Sequence, residues 1–408
     1  MGNNIPQGYK ATALGIIPQE WEVMRLGDIV SITSGESPSL YHLKAEGKYP
    51  YVKVEDLNNC EKYQESSREY SDDNNTTIKA GSIIFPKRGA SILNNKVRIA
   101  AKDIQMDSNM MAITPHTTIV DTEFLYIRIL HERLYRIADT SSIPQINNKH
   151  IIPYKIAVPP LAEQRKIAEV LGVWDEAIEK QARLIEKLAL RKRGLMQRLL
   201  SAKLRLPGFS EPWKKVNYSD ILKEVRRTLT WDENELYDLI SVRRRSGGVF
   251  HRESLYGHEI KTKTLRPALE GDFLISKMQI VHGASGVVPK QLSGMKISGS
   301  YIALIAKDPK ELNINYFNLW SQMPLFYHQT FVSSYGVHIE KMTFDLDAFM
   351  SLSMNLPPIE EQNRIVEVIS TATNEIELAK EKLERLRRQK RGLMQQLLSG
   401  KKRVKINI

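Results

Sequence analysis

The side chains that could do chemistry in this sequence are scattered acidic and histidine residues. Asp238, Glu259 and Lys261 combine a carboxylate with a Glu-x-Lys segment, a set that resembles the metal centre of a nuclease. In a chain with 26% charged residues, such a set arises readily by chance. His131-Glu132 is followed by Arg-Leu-Tyr, so the HExxH pattern of a zinc protease is not completed. We therefore predict that the chain is not an enzyme.

The sequence also lacks the common patterns for binding a cofactor. It has no GxxxxGK(S/T) segment for ATP, and Gly-Ala-Ser-Gly at 283–286 does not extend to the GxGxxG of a dinucleotide site. Its two Pro-Pro pairs lie in VPPL and LPPI, whereas a base-amino methyltransferase would show an Asn/Asp-Pro-Pro-aromatic element. The single cysteine, Cys60, excludes an internal disulfide and a cysteine zinc cluster. We predict that the chain itself binds no cofactor and no metal.

The composition is that of a folded, basic protein. The 408 residues are 42% hydrophobic and 8% aromatic, and at roughly 100–200 residues per domain they predict two to four domains. The formal net charge is +12, which favours an acidic partner such as nucleic acid. No apolar run approaches the roughly 18 residues of a membrane span, and the amino terminus lacks the organisation of a signal peptide. We expect a soluble, cytoplasmic protein that binds no membrane.

An internal repeat organises the chain. Residues 159–203 and 357–401 align without a gap at an offset of 198 and are identical at 21 of 45 positions. Both segments begin with a Pro-Pro motif, PPLAEQ or PPIEEQ, and both end with KRGLMQ(R/Q)LLS(A/G)K. A proline pair suits the entry to a helix, where a missing N–H is harmless. The chain is therefore a tandem duplication.

Each matched segment follows a variable block of about 150 residues. The repeat is fainter here, where WEVMRLGDI from Trp21 resembles WKKVNYSDI from Trp213, and GSIIFPK (81–87) resembles GDFLISK from Gly271. Strand-like runs alternate irregularly with helical patterns, which predicts a mixed α/β (α+β) domain in each block. The strand-like runs are YPYVKV (49–54), GSIIFPK (81–87), DFLIS (272–276) and SYIALIA (300–306), and the helical patterns are EFLYIRILHERLYRIA (123–138) and YFNLWSQMPLFYH (316–328).

The matched segments predict two long helices with an apolar seam. Mostly apolar residues recur at alternating steps of four and three from Ile167 to Leu199 and from Ile365 to Leu397, which is a heptad pattern. A lysine occupies the same seam position in both copies, at Lys192 and Lys390, where a polar residue commonly fixes register.

The charges along these helices favour one pairing. Residues 162–179 sum to −3 and 180–205 to +8, while 360–379 sum to −4 and 380–405 to +9. Each helix could pack on its own preceding domain, or the two could pair with each other. An antiparallel pair would set opposite charges side by side along its whole length, whereas a parallel pair would set like charges together. We predict an antiparallel coiled coil.

The repeated motifs resemble the specificity (S) subunit of type I restriction-modification systems. The twin PPLAEQ and PPIEEQ helix starts, the twin KRGLMQ helix ends and the twin Trp-to-Asp-Ile starts of the variable blocks carry the resemblance, which covers essentially the whole chain. It implies an α+β (mixed α/β) protein with two target-recognition domains, two long helices in an antiparallel coiled coil and a pseudo-two-fold internal repeat. The implied boundaries are 1–158 and 206–356 for the domains, 159–205 for the central helix and 357–408 for the C-terminal helix.

The resemblance also implies a non-catalytic DNA reader. Such a subunit binds a bipartite, asymmetric site in double-stranded DNA, with one domain on each half-site. It recruits two methyltransferase (M) subunits and optionally two restriction (R) subunits. S-adenosylmethionine, ATP and Mg²⁺ are then expected on those partners.

We predict that DNA is contacted by basic, amide and other polar side chains in loops of both blocks. Arginine and lysine suit guanine edges or phosphates, and asparagine and glutamine suit adenine. Each of these residues could equally be an ordinary solvated surface residue. The predicted residues are Lys87, Arg88, Asn94, Asn95, Lys96, Arg98, Ser142, Gln145, Asn147 and Asn148 in the first block, and Arg243, Arg244, Arg245, Lys261, Lys263, Lys277, Ser334, Tyr335 and His338 in the second.

Two other classes of protein stay open at this point. One is a stand-alone nuclease or methyltransferase, which the missing motifs disfavour. The other is a coiled-coil adaptor that never touches DNA, against which the Arg/Lys/Asn-rich loops of both variable blocks argue.

Overall fold

A computed structural model describes residues 5–140 and 143–406. The chain divides into two compact units, one formed by Met1–Ala182 with Glu381–Ile408 and the other by Arg183–Lys380. Both boundaries fall inside long helices, so each unit contains one variable block, the start of one helix and the end of the other. Within the described ranges, no helix is both long enough and apolar enough to cross a bilayer.

The first unit is a mixed α/β structure. Its helices are α1 (Leu26–Ile29), α2 (Thr122–Glu132), α3 (Leu134–Ile137), α4 (Asn148–Ile151) and the start of α5 (Leu161–Leu200), with one-turn 3-10 helices at Pro38–Leu40, Asp56–Asn58 and Ala90–Ile92. Its strands are β1 (Tyr9–Thr12), β2 (Gly15–Pro18), β3 (Glu22–Arg25), β4 (Val30–Ser34), β5 (Tyr49–Val52), β6 (Tyr63–Gln64), β7 (Tyr70–Ser71), β8 (Ile83–Pro86), β9 (Arg98–Ala100), β10 (Gln105–Met106), β11 (Met110–Pro115) and β12 (Lys155–Val158).

The central sheet of the first unit has the order β4-β11-β8-β9-β6. Neighbours are antiparallel except for β6 and β9, which are parallel. All four residues of β8 are buried, as expected for a strand covered on both faces. A smaller sheet has the order β10-β5-β7, and β3 pairs with β12 to bring the two ends of the block together.

The second unit is built from the same kinds of element. Its helices are the end of α5, α6 (Tyr218–Ile221), α7 (Ile314–Trp320), α8 (Pro324–Val332), α9 (Leu346–Met350) and the start of α10 (Ile359–Leu398), with 3-10 turns at Gly257–Glu259, Ile280–His282, Lys290–Leu292 and Ile339–Lys341. Its strands are β13 (Lys214–Asn217), β14 (Leu222–Glu224), β15 (Leu236–Val242), β16 (Val249–Tyr256), β17 (Arg266–Pro267), β18 (Phe273–Ser276), β19 (Ser285–Val287), β20 (Lys296–Ile297), β21 (Tyr301–Ala306), β22 (Ser334–Tyr335), β23 (Thr343–Phe344) and β24 (Ser353–Leu356).

The second unit repeats the topology of the first. Its antiparallel sheet β14-β21-β18-β19 has the order and directions of β4-β11-β8-β9, and its pair β13–β24 corresponds to β3–β12. The small sheet is repeated as well, because β20-β15-β16 has the order and directions of β10-β5-β7. In the second unit this sheet carries the additional strand β17, which pairs with β20. The faint repeat between the variable blocks therefore reflects a shared sheet.

The two helical patterns of the variable blocks are each broken once. Residues 123–138 form α2 and α3, separated at Arg133, whose φ is +64°. Asn95 holds this break, because its side chain donates to the carbonyl of Leu130 at 3.0 Å and accepts from the N–H of Leu134 at 2.9 Å. Pro324 separates α7 from α8, since proline lacks the N–H that a continuing helix requires.

The long helices α5 and α10 each span 40 residues. Every residue of the two predicted seams is buried or half-buried. In the first unit Ile167, near the start of α5, shares the core with Leu397, near the end of α10, and Lys390 forms an ion pair with Asp175. In the second unit the end of α5 and the start of α10 share a core, which contains Leu199 and Ile365.

In the second unit Leu188 of α5 packs with Ile376 of α10. Arg191 and Glu375 form an ion pair between the same two helices. Both helices end sooner than the predicted limits of 205 and 408, at Leu200 and Leu398. A residue with positive φ follows each end, Ala202 at +57° and Gly400 at +70°, which is the usual way to stop a helix.

Candidate nucleic-acid interface

Lys87 and Arg88 directly follow the buried strand β8. The backbone N–H of Lys87 donates to the carbonyl of Asn109 at 2.8 Å, which fixes where the chain leaves the sheet. Lys87 is half-buried and Arg88 is exposed. Burial, followed by the charge of Arg88, lowers the pKa of Lys87. Lys87 and Arg88 therefore place positive charge at the edge of the sheet, directly after a buried strand.

A loop at residues 139–146, here called loop A, lies against this edge. Asp139 and Gln145 exchange backbone hydrogen bonds of 2.9 Å in both directions, which closes the loop. The N–H of Ile146 donates to the carbonyl of Lys87 at 2.9 Å, and Ile146 is fully buried. The structure therefore brings Lys87 and Arg88 together with Gln145. Ser142, also predicted in this loop, lies outside the described residues.

The second unit contains a loop of the same construction, residues 334–344, here called loop B. Strands β22 and β23 close it, pairing Ser334 with Phe344 and Tyr335 with Thr343. The N–H of Phe344 donates to the carbonyl of Lys277 at 3.0 Å. Lys277 follows β18 as Lys87 follows β8, so the structure brings Lys277, Ser334, Tyr335 and His338 into one region.

The three consecutive arginines occupy the hairpin tip between β15 and β16. The backbone N–H of Arg245 donates to the carbonyl of His282 at 2.7 Å, and Arg244 Nε donates to Gln279 Oε1 at 2.5 Å. The guanidinium of Arg243 lies 4.0 Å from the ring centre of Phe250. Because residues 279–282 follow Lys277 closely, the structure places the arginine tip near the chain that leaves β18.

Other predicted contact residues have structural partners. Arg98 donates to the carbonyls of Cys60, Val97 and Leu57 at 2.7–2.8 Å, and Asn95 holds the break between α2 and α3. Asn94 and Asn148 are exposed. Lys96 Nζ donates to Asn58 Oδ1 at 2.6 Å, and the backbone N–H of Asn147 donates to His150 Nδ1 at 3.0 Å.

Lys261 and Lys263 lie beside the sheet β16-β15-β20-β17. Lys263 is paired with Glu233 and lies 5.6 Å from the ring centre of Trp231. Lys261 is exposed and lines a concave surface of about 310 Å³ with Glu259. Asp238 of the nuclease-like set accepts a hydrogen bond from Ser254 Oγ at 2.5 Å. In the described residues, no group of three or more His, Cys, Asp or Glu side chains could hold a metal ion.

The repeated Glu-Gln motif proves to be structural in the first unit. Glu163 is 1% exposed and accepts hydrogen bonds from Trp21 Nε1 at 2.9 Å and from Arg403 Nε and Nη2 at 2.6 and 2.9 Å. Gln164 accepts from the N–H of Asp121 at 2.7 Å and donates to the carbonyls of Ile119 and Pro159. The motif therefore ties the start of α5 to the variable block and to the residues after α10.

The second unit repeats this arrangement. Glu361 accepts from Trp213 Nε1 at 3.0 Å and from Arg205 Nε and Nη2 at 2.7 and 2.8 Å. Gln362 accepts from the N–H of Asn313 at 2.9 Å. The sequence analysis named the two tryptophans but not the two arginines, although Arg205 and Arg403 lie at the repeat offset of 198, just beyond the aligned segments.

A family comparison decides where this duplicated architecture belongs. The model of the type I restriction modification DNA specificity domain matches residues 18–189 and, a second time, residues 210–388. The chain belongs to this family. Each match to the specificity domain begins near the tryptophan that contacts the buried glutamate and extends into the long helix that follows, so both copies of the repeat are specificity domains.

Relatives of the chain are also type I specificity subunits. The MjaVIII specificity subunit of Methanocaldococcus jannaschii is 24% identical, and the alignment covers 95% of this chain and 94% of the relative. The MjaIX specificity subunit of the same organism is 32% identical over 45% of each chain. The resemblance drawn from the repeated motifs is thus confirmed.

Solved structures of specificity subunits share the fold. A chain from a structural study of assembly and conformational transition in a type I R-M system has a TM-score of 0.63 at 18% identity, covering 94% of this chain and 99% of its own. The type I S subunit from M. genitalium has a TM-score of 0.54 at 14% identity, covering 97% of both chains. The predicted mixed α/β fold with two repeated domains is therefore confirmed.

Proposed function

We propose that this chain is the DNA-reading subunit of a type I restriction-modification complex and binds a bipartite, asymmetric DNA site. Residues 1–158 and 206–356 would each read one half-site. The observation that carries the proposal is the common construction of loops A and B, each held by the carbonyl of a lysine that follows a buried strand. The half-sites would differ because the loops differ, with SSIPQ in loop A and SYGVHI in loop B.

We further propose that residues 159–205 and 357–408 contribute an antiparallel coiled coil that relates the two reading domains by a pseudo-two-fold axis. The contacts within each unit support this, since the start of one helix meets the end of the other in both. Such a rod sets the distance between the half-sites and hence a non-specific spacer. Half-sites about one helical turn apart suit a two-fold reader.

The catalytic work would belong to partner subunits. Val173 and Leu190 of α5 and Leu378 of α10 are exposed outside the seam, and exposed apolar side chains on such helices favour protein partners. Two methyltransferase subunits, and optionally two restriction subunits, would dock there. S-adenosylmethionine, ATP and Mg²⁺ would be bound by those subunits, and this chain would bind none of them.

Mapping methylated adenines in the host genome, with and without this gene, tests the proposal. We expect one bipartite motif to lose its methylation when the gene is removed. An unchanged set of methylated motifs would reject a DNA-reading role. Methyl transfer by the purified chain alone would instead favour a stand-alone enzyme, and failure to bind any duplex with partner subunits present would favour an adaptor.

Charge reversal at the edge beside loop A tests the proposed contact. In Lys87→Glu/Arg88→Glu we expect weaker specific binding. The slope of log K against log salt concentration should become shallower by the equivalent of about one to two phosphate contacts. Arg25→Glu/Lys155→Glu is the matched control, because these exposed residues are register partners on β3 and β12 of the same unit. An unchanged salt slope in the first variant, measured by filter binding of the assembled complex, would reject the assignment.

A further inference from the structure

Loop B carries apolar side chains where a loop on a protein surface is usually polar. Val337, at its tip, is 96% exposed, and its neighbours Tyr335 and Ile339 are at least half exposed. Loop A shows the same feature, since Ile143 is 70% exposed. Exposed apolar side chains grouped in this way commonly mark a surface that another molecule covers.

The base of loop B is anchored in the core of the second unit, while Val337 at its tip is exposed to solvent. Phe344 and Met342 are buried, and Phe344 packs against Phe349 with ring centres 5.3 Å apart. Gly336 has φ +150°, and a Cβ at this position would lie 3.0 Å from the Cα of Met342. The loop is thus anchored on both sides. Because its base is already ordered in the free protein, binding does not carry the entropy cost of ordering it.

Positive groups near the tip indicate which molecule covers it. His338 and Lys341 are exposed within loop B, and Lys277 supports its base through the hydrogen bond to Phe344. Lysine attracts phosphates and a histidine N–H can donate a hydrogen bond to them, whereas the apolar tip needs an apolar contact. Duplex DNA offers both, because the 5-methyl group of thymine is the apolar feature of the major-groove edges.

We propose that Val337, at the tip of loop B, reads a thymine in the half-site of the second domain by contact with its 5-methyl group. The proposal rests on the DNA-reading function proposed above and adds a residue that sequence reasoning did not select. Tyr335 and Ile339 flank this contact and exclude water from it. Valine suits this task because its two methyl groups are rigid at χ1 and make no hydrogen bond with other base edges.

Replacing thymine by deoxyuridine, which removes the methyl group alone, tests the contact directly. The full chain is assembled with its methyltransferase subunits and titrated with duplexes in which the thymines of one half-site at a time carry uracil. For one half-site we expect wild-type affinity to fall about three- to fivefold, as for the loss of one buried methyl group. Val337→Ala should bind the thymine duplex with a similar loss and no longer distinguish thymine from uracil.

Leu236→Ala is the control, because it truncates another exposed apolar side chain of the same unit, on β15 and outside loop B. It should keep the full preference for thymine. The proposal is overturned if Val337→Ala also keeps that preference, if it weakens methyltransferase assembly instead, or if the half-site contains no thymine. A rise in 2-aminopurine fluorescence on binding would show insertion between bases and likewise overturn it. In each case sequence-specific binding by the wild type persists, whereas failure of the proposed function would abolish it.

Discussion

Glu163 is a buried carboxylate whose partners come from distant parts of the chain. Replacing it by alanine leaves Trp21 Nε1 and the guanidinium of Arg403 without their acceptor. Removing one partner of such a buried pair lowers the free energy of unfolding by more than the pair contributes to it, because the remaining groups stay buried without a partner. We expect Glu163→Ala to lower the free energy of unfolding by about 2–4 kcal/mol, measured by urea denaturation of the full chain.

Glu169 provides the control on the same helix. It is exposed and paired with Lys166 at 2.8 Å, and exposed pairs of this kind contribute only about 0.2–1 kcal/mol. Glu169→Ala should therefore change the free energy of unfolding little. Equal losses in the two variants would show that the hydrogen bonds of Glu163 do not stabilise the fold.

We predict that Lys87 makes DNA binding sensitive to alkaline pH. Burial and the charge of Arg88 lower its pKa in the free protein, while a nearby DNA phosphate would raise it. The bound state then keeps the proton to a higher pH than the free state. We expect affinity to fall as pH rises through the lowered pKa of free Lys87, below the ordinary lysine value of about 10.4. Fluorescence anisotropy of the assembled complex measures this.

Lys87→Arg is the matching variant, because a guanidinium stays charged over this pH range. Its affinity should stay nearly constant where the wild type weakens. A parallel fall in both proteins would assign the pH dependence to other groups.

At the scale of elements, the two helices differ in the residue that faces their shared seam lysine. Lys390 pairs with Asp175 in the first unit, whereas the repeat places Thr373 where a carboxylate would face Lys192 in the second. Both residues line a groove of about 500 Å³, and burial lowers the pKa of Lys192. Among the described residues, the ammonium of Lys192 has no ion pair. Thr373→Asp should supply one and raise the free energy of unfolding by about 0.5–1 kcal/mol.

Asn374→Asp is the control for this change, since it adds the same charge at the next, exposed position of α10. It should gain less than Thr373→Asp in the same urea titration. A loss of stability in Thr373→Asp would mean that desolvation of the new carboxylate outweighs its attraction to Lys192.

At the scale of the whole molecule, most of the net charge belongs to the helices. Residues 162–205 and 360–405 together carry +10 of the total +12, so the variable blocks are nearly neutral. Outside the seams, Leu190 and Leu378 are about two-thirds exposed. We expect the chain alone to self-associate through these helices, and Leu190→Gln/Leu378→Gln to shift it toward monomer in sedimentation velocity.

The same variant should weaken assembly with methyltransferase subunits and leave the free energy of unfolding nearly unchanged. Leu236→Gln is its control, because Leu236 is also half exposed but lies on β15 in the variable block. A monodisperse wild-type monomer at high concentration would contradict the expectation that a partner covers these side chains.

The sequence alone determined the duplication, the two long helices, their seams and the family. Periodicity and repeated motifs predict these features. Both depend on residues that are close together in the chain or separated by a constant offset. The pattern at 123–138 predicts helix throughout, because nothing in those residues indicates that the side chain of Asn95 holds a break between α2 and α3.

Which polar side chains form hydrogen bonds within the protein depends on contacts that exist only in the folded chain. Arg403 and Glu163 are separated by 240 residues, and no pattern in the chain links them before it folds. In the same way, the residue type of Arg98 predicts a DNA contact. In the folded chain its guanidinium donates hydrogen bonds to three backbone carbonyls. Loops A and B share no sequence motif, and their likeness lies in backbone hydrogen bonds that form only when the sheet brings each loop to its lysine.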